Sequence, residues 1–187
     1  MIRILLLCLS LLLPTVAVAA DNVAMNPRVV IKTSEGDITV QLFADKAPIT
    51  VANFLGYVDS GFYRGTIFHR VIPNFMIQGG GFGPDMVEKE TGDPIVNESK
   101  NRLHNTRGTL AMARTSDPDS ATSQFFINQR SNLRLDWTPH NAGYTVFGEV
   151  ILGMDIVDFI ATAPTGTAGG MGDVPTKPIV IKDIVRQ

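Results

Sequence analysis

The chain of 187 residues holds one cysteine, Cys8, one tryptophan, Trp137, and only three histidines. Cys8 sits in the apolar N-terminal segment, so the rest of the chain has no disulfide, thiol nucleophile or thiolate metal ligand. His69, His104 and His140 share no metal-ligand spacing, and no metal site or cofactor is expected. Charged residues make up only 18%, the formal net charge is −2, and no basic cluster is present. That balance gives no long-range attraction to nucleic acid or to an anionic membrane. A G-x-S-x-G nucleophile elbow, a phosphate loop ending in Gly-Lys-Ser/Thr and heptad repeats are all missing. Gly79-Gly80-Gly81-Phe82-Gly83 therefore reads as a turn that needs positive φ, not as a phosphate cradle.

No apolar run is long enough to cross a bilayer. Ile4 to Leu13, broken only by Ser10, covers about half of the ~20 residues required. With Arg3 before it, Pro14 after it and Ala17-Val18-Ala19-Ala20 beyond, residues 1–20 read as a signal peptide cut after Ala19 or Ala20. The expected mature protein is then periplasmic or secreted, with no membrane attachment after cleavage. Residues 21–187 carry a net charge of −3 and form one domain, long enough to bury roughly 70% of its unfolded surface without staples. No dimer signal is present, and a monomer is expected.

Hydrophobic periodicity supplies the elements. Arg28–Thr33 and Gly36–Phe43 alternate at period two around Ser34-Glu35-Gly36, the pattern of a hairpin. Val51, Leu55 and Val58 share a helical face behind Pro48, and Gly61 ends it, which predicts a helix over 48–60. Further strands are predicted at 65–72, 75–79, 109–113, 124–128, 144–150 and 179–185, with a short helix over 155–161. About eight strands and two helices without β-α-β alternation favour a mainly β fold: a closed antiparallel eight-stranded barrel capped by two helices. The segments 79–108, 129–143 and 162–178 are rich in Gly and Pro and are left as long loops.

The chemistry-bearing stretch is Phe68-His69-Arg70-Val71-Ile72-Pro73-Asn74-Phe75-Met76-Ile77-Gln78. On a strand, Phe68, Arg70 and Ile72 look one way, and after the Pro73-Asn74 kink Met76 and Gln78 share a face. An arginine among large apolar groups needs a partner if buried, and Gln78 can supply one. Gln124-Phe125-Phe126-Ile127 repeats the pairing of amide and aromatic. By pattern alone, a core strand with one satisfied arginine is favoured over a site.

These segments, together with Gly108-Thr109-Leu110-Ala111-Met112-Ala113 and Val146-Phe147-Gly148-Glu149-Val150, resemble the cyclophilins, a family of peptidyl-prolyl cis-trans isomerases. Their order and spacing span nearly the whole expected mature chain. The leader, Asn105-Thr106-Arg107-Gly108 and Ala113-Arg114-Thr115 resemble the exported bacterial branch. The resemblance implies rotation about X–Pro bonds of unfolded or newly exported polypeptides, with a role in protein folding and no cofactor. Arg70 matches the catalytic arginine, and Gln78 would orient it. Phe75, Met76, Phe126 and Leu135 would wall a proline pocket, while Gln124 and the backbone at Ala113 and Arg114 would hold the flanking peptide. His69 is carried over as adjacent support or as packing. Two departures stand out. Arg134 occupies the place where many relatives have an aromatic, often Trp, and whether Trp137 folds back over the pocket is left open; the implied cyclosporin affinity is weakened. Tyr144 replaces a histidine found in many relatives. A non-catalytic proline-peptide-binding or chaperone module is the alternative, and the intact arginine, which a mere binder does not need, argues against it.

Overall fold

In a computed structural model, residues 26–187 are described; the segment expected to be a leader, 1–20, lies outside them. β1 (Arg28–Thr33) and β2 (Asp37–Leu42) form the predicted hairpin, with Ile31 and Ile38 paired and buried. The Thr33 hydroxyl oxygen accepts from the backbone N–H groups of Glu35 and Gly36, which fixes the turn. Helix α1 spans Pro48–Asp59 and buries Val51, Phe54, Leu55 and Val58. Its start has no side-chain cap from Ala47. Instead, the Glu98 carboxylate accepts from the backbone of Ile49 at 3.1 Å and Thr50 at 2.8 Å, and from the Thr50 hydroxyl at 2.6 Å. Helix α2 spans Met154–Ala161 and buries Val157, Ile160 and Ala161.

The remaining strands are β3 (Thr66–Ile67), β4 (Arg70–Ile72), β5 (Met76–Gly79), β6 (Thr109–Met112), β7 (Phe125–Asn128), β8 (Val146–Leu152), β9 (Thr165–Ala168), β10 (Met171–Pro175) and β11 (Val180–Arg186). Of the eleven strands among the described residues, nine, including β1 and β2, form one antiparallel sheet in the order β3-β11-β1-β2-β8-β6-β7-β5-β4, and β9 pairs with β10 apart from it. The fold is mainly β with two helices, but the sheet is curled and open, not the closed eight-stranded barrel expected. β3 and β4 are its two edges, and they lie in one continuous run of chain separated only by Phe68 and His69. Two consecutive pieces of one run cannot pair with each other, so the chain crosses from edge to edge instead of closing a ladder. Hydrogen bonds at that crossing go elsewhere: Ile67 donates to Phe82 and Phe68 to Ile179. The expected single strand over 65–72 is broken for the same reason.

A second correction concerns 162–178, which contains the β9–β10 hairpin in place of a loop. Its glycines hid the alternation: Gly169 and Gly170 take positive φ at the turn, while Val174 is the one large apolar side chain that it buries.

The main core lies within the curl and beneath α1, where Phe54, Tyr63, Phe68, Phe125 and Phe147 are fully buried. Edge-on contact of Phe54 and Phe125, with ring centres 5.6 Å apart, is a favourable aromatic arrangement. The Tyr63 hydroxyl donates to the Ser123 carbonyl at 2.8 Å, which removes the cost of burying it. A separate apolar cluster of Met76, Ala111, Phe126 and Val146 occupies the other face of β5, β7, β6 and β8. Period two produces both clusters from the same strands: Phe125 and Ile127 enter the core, and Phe126 between them faces outward into the second cluster.

Candidate active site

That second cluster is the floor of a cavity of about 180 Å³. Met76 and Phe126 form its base and are almost fully buried, with Phe75, Leu135 and Tyr144 around them. Arg70 and Gln78 line it from the β4–β5 pair, where they stand directly opposite each other in register. Ala113 and Arg114 line it from the end of β6. The result is an apolar slot lined by two guanidinium-bearing side chains, Arg70 on one side and Arg114 on the other.

Each wall has a local cause. β5 delivers Met76 and Gln78 on one face because they are two residues apart, and β7 places Phe126 beside Gln78 by strand register. Phe75 enters from the turn before β5, where Asn74 adopts a left-handed φ of 59° that asparagine tolerates. The Arg134 guanidinium lies over the Phe75 ring at 4.8 Å, and that of Arg114 over the Tyr144 ring at 4.4 Å. Leu135 sits on a short 3₁₀ turn, Leu133–Leu135. That turn is held by the next residue, Asp136, whose carboxylate accepts from the backbone and side-chain N–H groups of Asn105 and meets His104 at 2.7 Å. Burial works against the charge of Asp136, but these contacts together outweigh it and hold its carboxyl below the ordinary value.

Behind the slot runs a chain of buried amides that the sequence did not reveal. Asn128 donates to Asn105 at 3.2 Å, and Asn132 donates to Asn128 at 2.7 Å and to the Phe75 carbonyl at 2.9 Å. It ties the Phe75 turn, β7 and the 129–143 segment into one unit. Only composition could have hinted at it, since Asn105, Asn128 and Asn132 fit no periodic pattern.

Gln124 and His69 do not line the cavity. Gln124 stands one step back, accepting a hydrogen bond from the Gln78 amide at 3.0 Å and donating to Glu88 at 3.0 Å. The glycine run makes room for it: a Cβ on Gly81 would fall 2.5 Å from Gln124 Cγ. Of Gly79, Gly80 and Gly81, only Gly80 has a positive φ, at 86°, so close approach, and not turn geometry alone, accounts for the run. His69 points to the opposite face from Arg70, is buried, and packs against Phe82 with ring centres 4.6 Å apart. Burial, reinforced by the neighbouring Arg70 charge, pushes its pKa down to about 4, so the ring is neutral near pH 7. The ring is packed and does not reach the slot.

Arg70 is not enclosed; 44% of its side chain is exposed. The Gln78 amide nitrogen is directed to Gln124, and the charged partner of Arg70 is Asp173, 3.8 Å from Nε. Trp137 does not fold over the slot. It lines a separate groove beside Lys100, whose ammonium is 5.5 Å from the indole centre.

Comparison with known proteins points to one family. The family model described as "Cyclophilin type peptidyl-prolyl cis-trans isomerase/CLD" matches residues 28–186. A peptidyl-prolyl cis-trans isomerase of Acinetobacter baylyi is 60% identical over 156 residues, covering 83% of this chain and 83% of that protein. Peptidyl-prolyl cis-trans isomerase A of Dickeya dadantii is 50% identical over 180 residues, 96% of this chain and 95% of that one. Among solved structures, a cyclophilin of Cryptosporidium parvum crystallised in the presence of the dipeptide Ala-Pro superposes with a TM-score of 0.74 at 34% identity, covering 86% of this chain and 98% of that one. On the match over residues 28–186 and these identities, the chain belongs to the cyclophilin family of peptidyl-prolyl cis-trans isomerases.

Proposed function

We propose that the protein is exported and rotates X–Pro bonds of unfolded or newly exported chains, with Arg70 as the catalytic cation at the rim of the Phe126 slot. An X–Pro bond turns against a barrier of ~18–20 kcal/mol although its isomers differ by only ~0.5–1 kcal/mol. No covalent bond forms, so the task is to favour the twisted amide over both planar forms. In the twisted state the prolyl nitrogen gains a free lone pair. A guanidinium beside the ring can donate to that lone pair and finds no equivalent acceptor in the planar amide. A guanidinium offers a rigid fork of N–H donors for this purpose. One such charged hydrogen bond is worth ~1.5–3 kcal/mol, roughly 10- to 150-fold in rate. Further acceleration comes from fixing the ring in the slot and the flanking chain along Ala113 and Arg114.

The observation that carries this reading is the single cavity shared by Arg70, Phe126 and Met76. The Ala-Pro dipeptide named with the Cryptosporidium parvum cyclophilin supports the class of substrate. The N-terminal pattern of Arg3, Ile4–Leu13 and Ala17–Ala20 supports export. The place of Arg134 on Phe75, with Trp137 outside the slot, supports weakened cyclosporin affinity. The test is an NMR exchange assay on an Ala-Pro peptide. Arg70→Ala is expected to lower kcat/KM by at least about tenfold with an unchanged thermal midpoint. Full turnover in that variant overturns the assignment, and peptide binding without acceleration by the unaltered protein favours the binding module. Mass analysis of the exported protein checks cleavage after Ala19 or Ala20.

A further inference from the structure

β10 is irregular at one point. Its pairing with β9 runs from Met171 opposite Ala168 to Val174 opposite Gly166, so Gly172 and Asp173 together face the space of Thr167 alone. This is a one-residue bulge, a device that turns a side chain out of strand alternation. Asp173 has a φ of 60°, a left-handed conformation that aspartate tolerates better than most residues but that remains strained beside an extended strand. Val174 and Pro175 return to buried positions immediately after it. The distortion leaves a carboxylate oxygen of Asp173 3.8 Å from Nε of Arg70.

Stability does not account for this arrangement. The two side chains are 44% and 48% exposed, so water screens the pair and it adds little to the fold. Orientation does account for it. Arg70 comes from the three-residue edge strand β4 and makes no other ion pair among the described residues, while the Gln78 amide opposite is engaged with Gln124. A long side chain held only at its root samples many rotamers, and most of them carry the guanidinium away from the slot.

We propose that Asp173 is a positioning residue for the isomerase. Its carboxylate lies beyond hydrogen-bonding distance and holds the guanidinium by charge alone. The Nε edge faces β10, which leaves the Nη edge to the prolyl nitrogen. This rests on the reading of Arg70 as the catalytic cation.

Asp173→Asn keeps a residue that tolerates positive φ and removes only the charge; Asp173→Gly relaxes the backbone and removes the side chain. Both are expected to lower kcat on an Ala-Pro peptide about two- to fivefold, the range of an exposed charge pair. KM stays unchanged, the thermal midpoint is unchanged in Asp173→Asn and does not fall in Asp173→Gly, and the Arg70 Nε–H resonance in an NMR spectrum shifts. In an Arg70→Ala background, Asp173→Asn produces no further loss of the residual rate, because the group that it positions is gone. The inference is overturned by unchanged or raised kcat in both Asp173 variants, by an effect confined to KM, or by full additivity with Arg70→Ala. Each of those outcomes leaves the role of Arg70 standing so long as Arg70→Ala loses at least about tenfold of its turnover; full turnover in Arg70→Ala overturns that role itself.

Discussion

His69 and Arg70 are neighbours in the chain and opposites in environment: one ring in the core, one cation at the rim of the slot. The neutral form of His69 is part of the folded state. Its pKa of about 4 lies below the ordinary value of 6.5. Between those two pH values the unfolded chain takes up a proton that the folded protein refuses. Stability is therefore fully present above pH 6.5 and is lost as pH falls toward 4, by about 3 kcal/mol in total. Denaturant unfolding of the unaltered protein is expected to weaken across that window. His69→Phe, which keeps a ring and cannot be protonated, is expected to flatten the dependence, and equal slopes in the two proteins would refute the assignment. Alternation in the sequence puts Phe68 on one face with Arg70, but the strand is broken at Phe68 and His69, and Phe68 enters the core while Arg70 stays exposed. That His69 turns inward was not legible in the sequence, because period two gives two faces without saying which one meets water.

At the scale of elements, α1 shows where local reading ends. Pro48 and the spacing of Val51, Leu55 and Val58 locate the helix within one residue of its observed end. The group that satisfies its first N–H donors, Glu98, is 48 positions away from Thr50, and no local capping pattern can report it. Glu98 is itself placed by its backbone N–H bond to the Thr145 hydroxyl at 2.9 Å, so part of the 79–108 segment read as loop is a fixed support for the helix. Glu98→Ala leaves the Ile49 and Thr50 donors unpaired and is expected to cost about 1–2 kcal/mol of unfolding free energy. Glu98→Gln, which retains an acceptor, should recover part of that loss. Chemical denaturation of the three proteins decides it, and no change in Glu98→Ala would show that water replaces the carboxylate. The β9–β10 hairpin went unread for a related reason: glycine removes the side chains from which alternation is read, although Gly169 and Gly170 suit its tight turn.

Across the whole molecule, two apolar clusters share one sheet: the core on its inner face and the slot on its outer face. The amide chain Asn105–Asn128–Asn132 joins the segments around the slot without touching its cavity. Asn132→Ala is expected to lower stability by about 1–3 kcal/mol, the cost of stranding buried polar partners, and to raise KM for proline peptides by loosening Phe75 and Leu135. Unfolding curves and steady-state kinetics measure the two effects, and a stability loss with KM unchanged would separate the network from the slot. Taken by itself, the sequence determined most strands of the main sheet, both helices, the alternation that sends Phe125 and Phe126 to opposite faces, and the family to which Arg70, Phe75, Met76 and Gln78 belong. These are properties of periodicity and of residue type, which a chain displays before it folds. Only the tertiary structure decided that the sheet stays open at β3 and β4, that Glu98 caps α1, that Trp137 stands apart from the slot, and that Asp173 is the charged neighbour of Arg70. Each of these depends on where distant segments arrive in space, and periodicity carries no record of that.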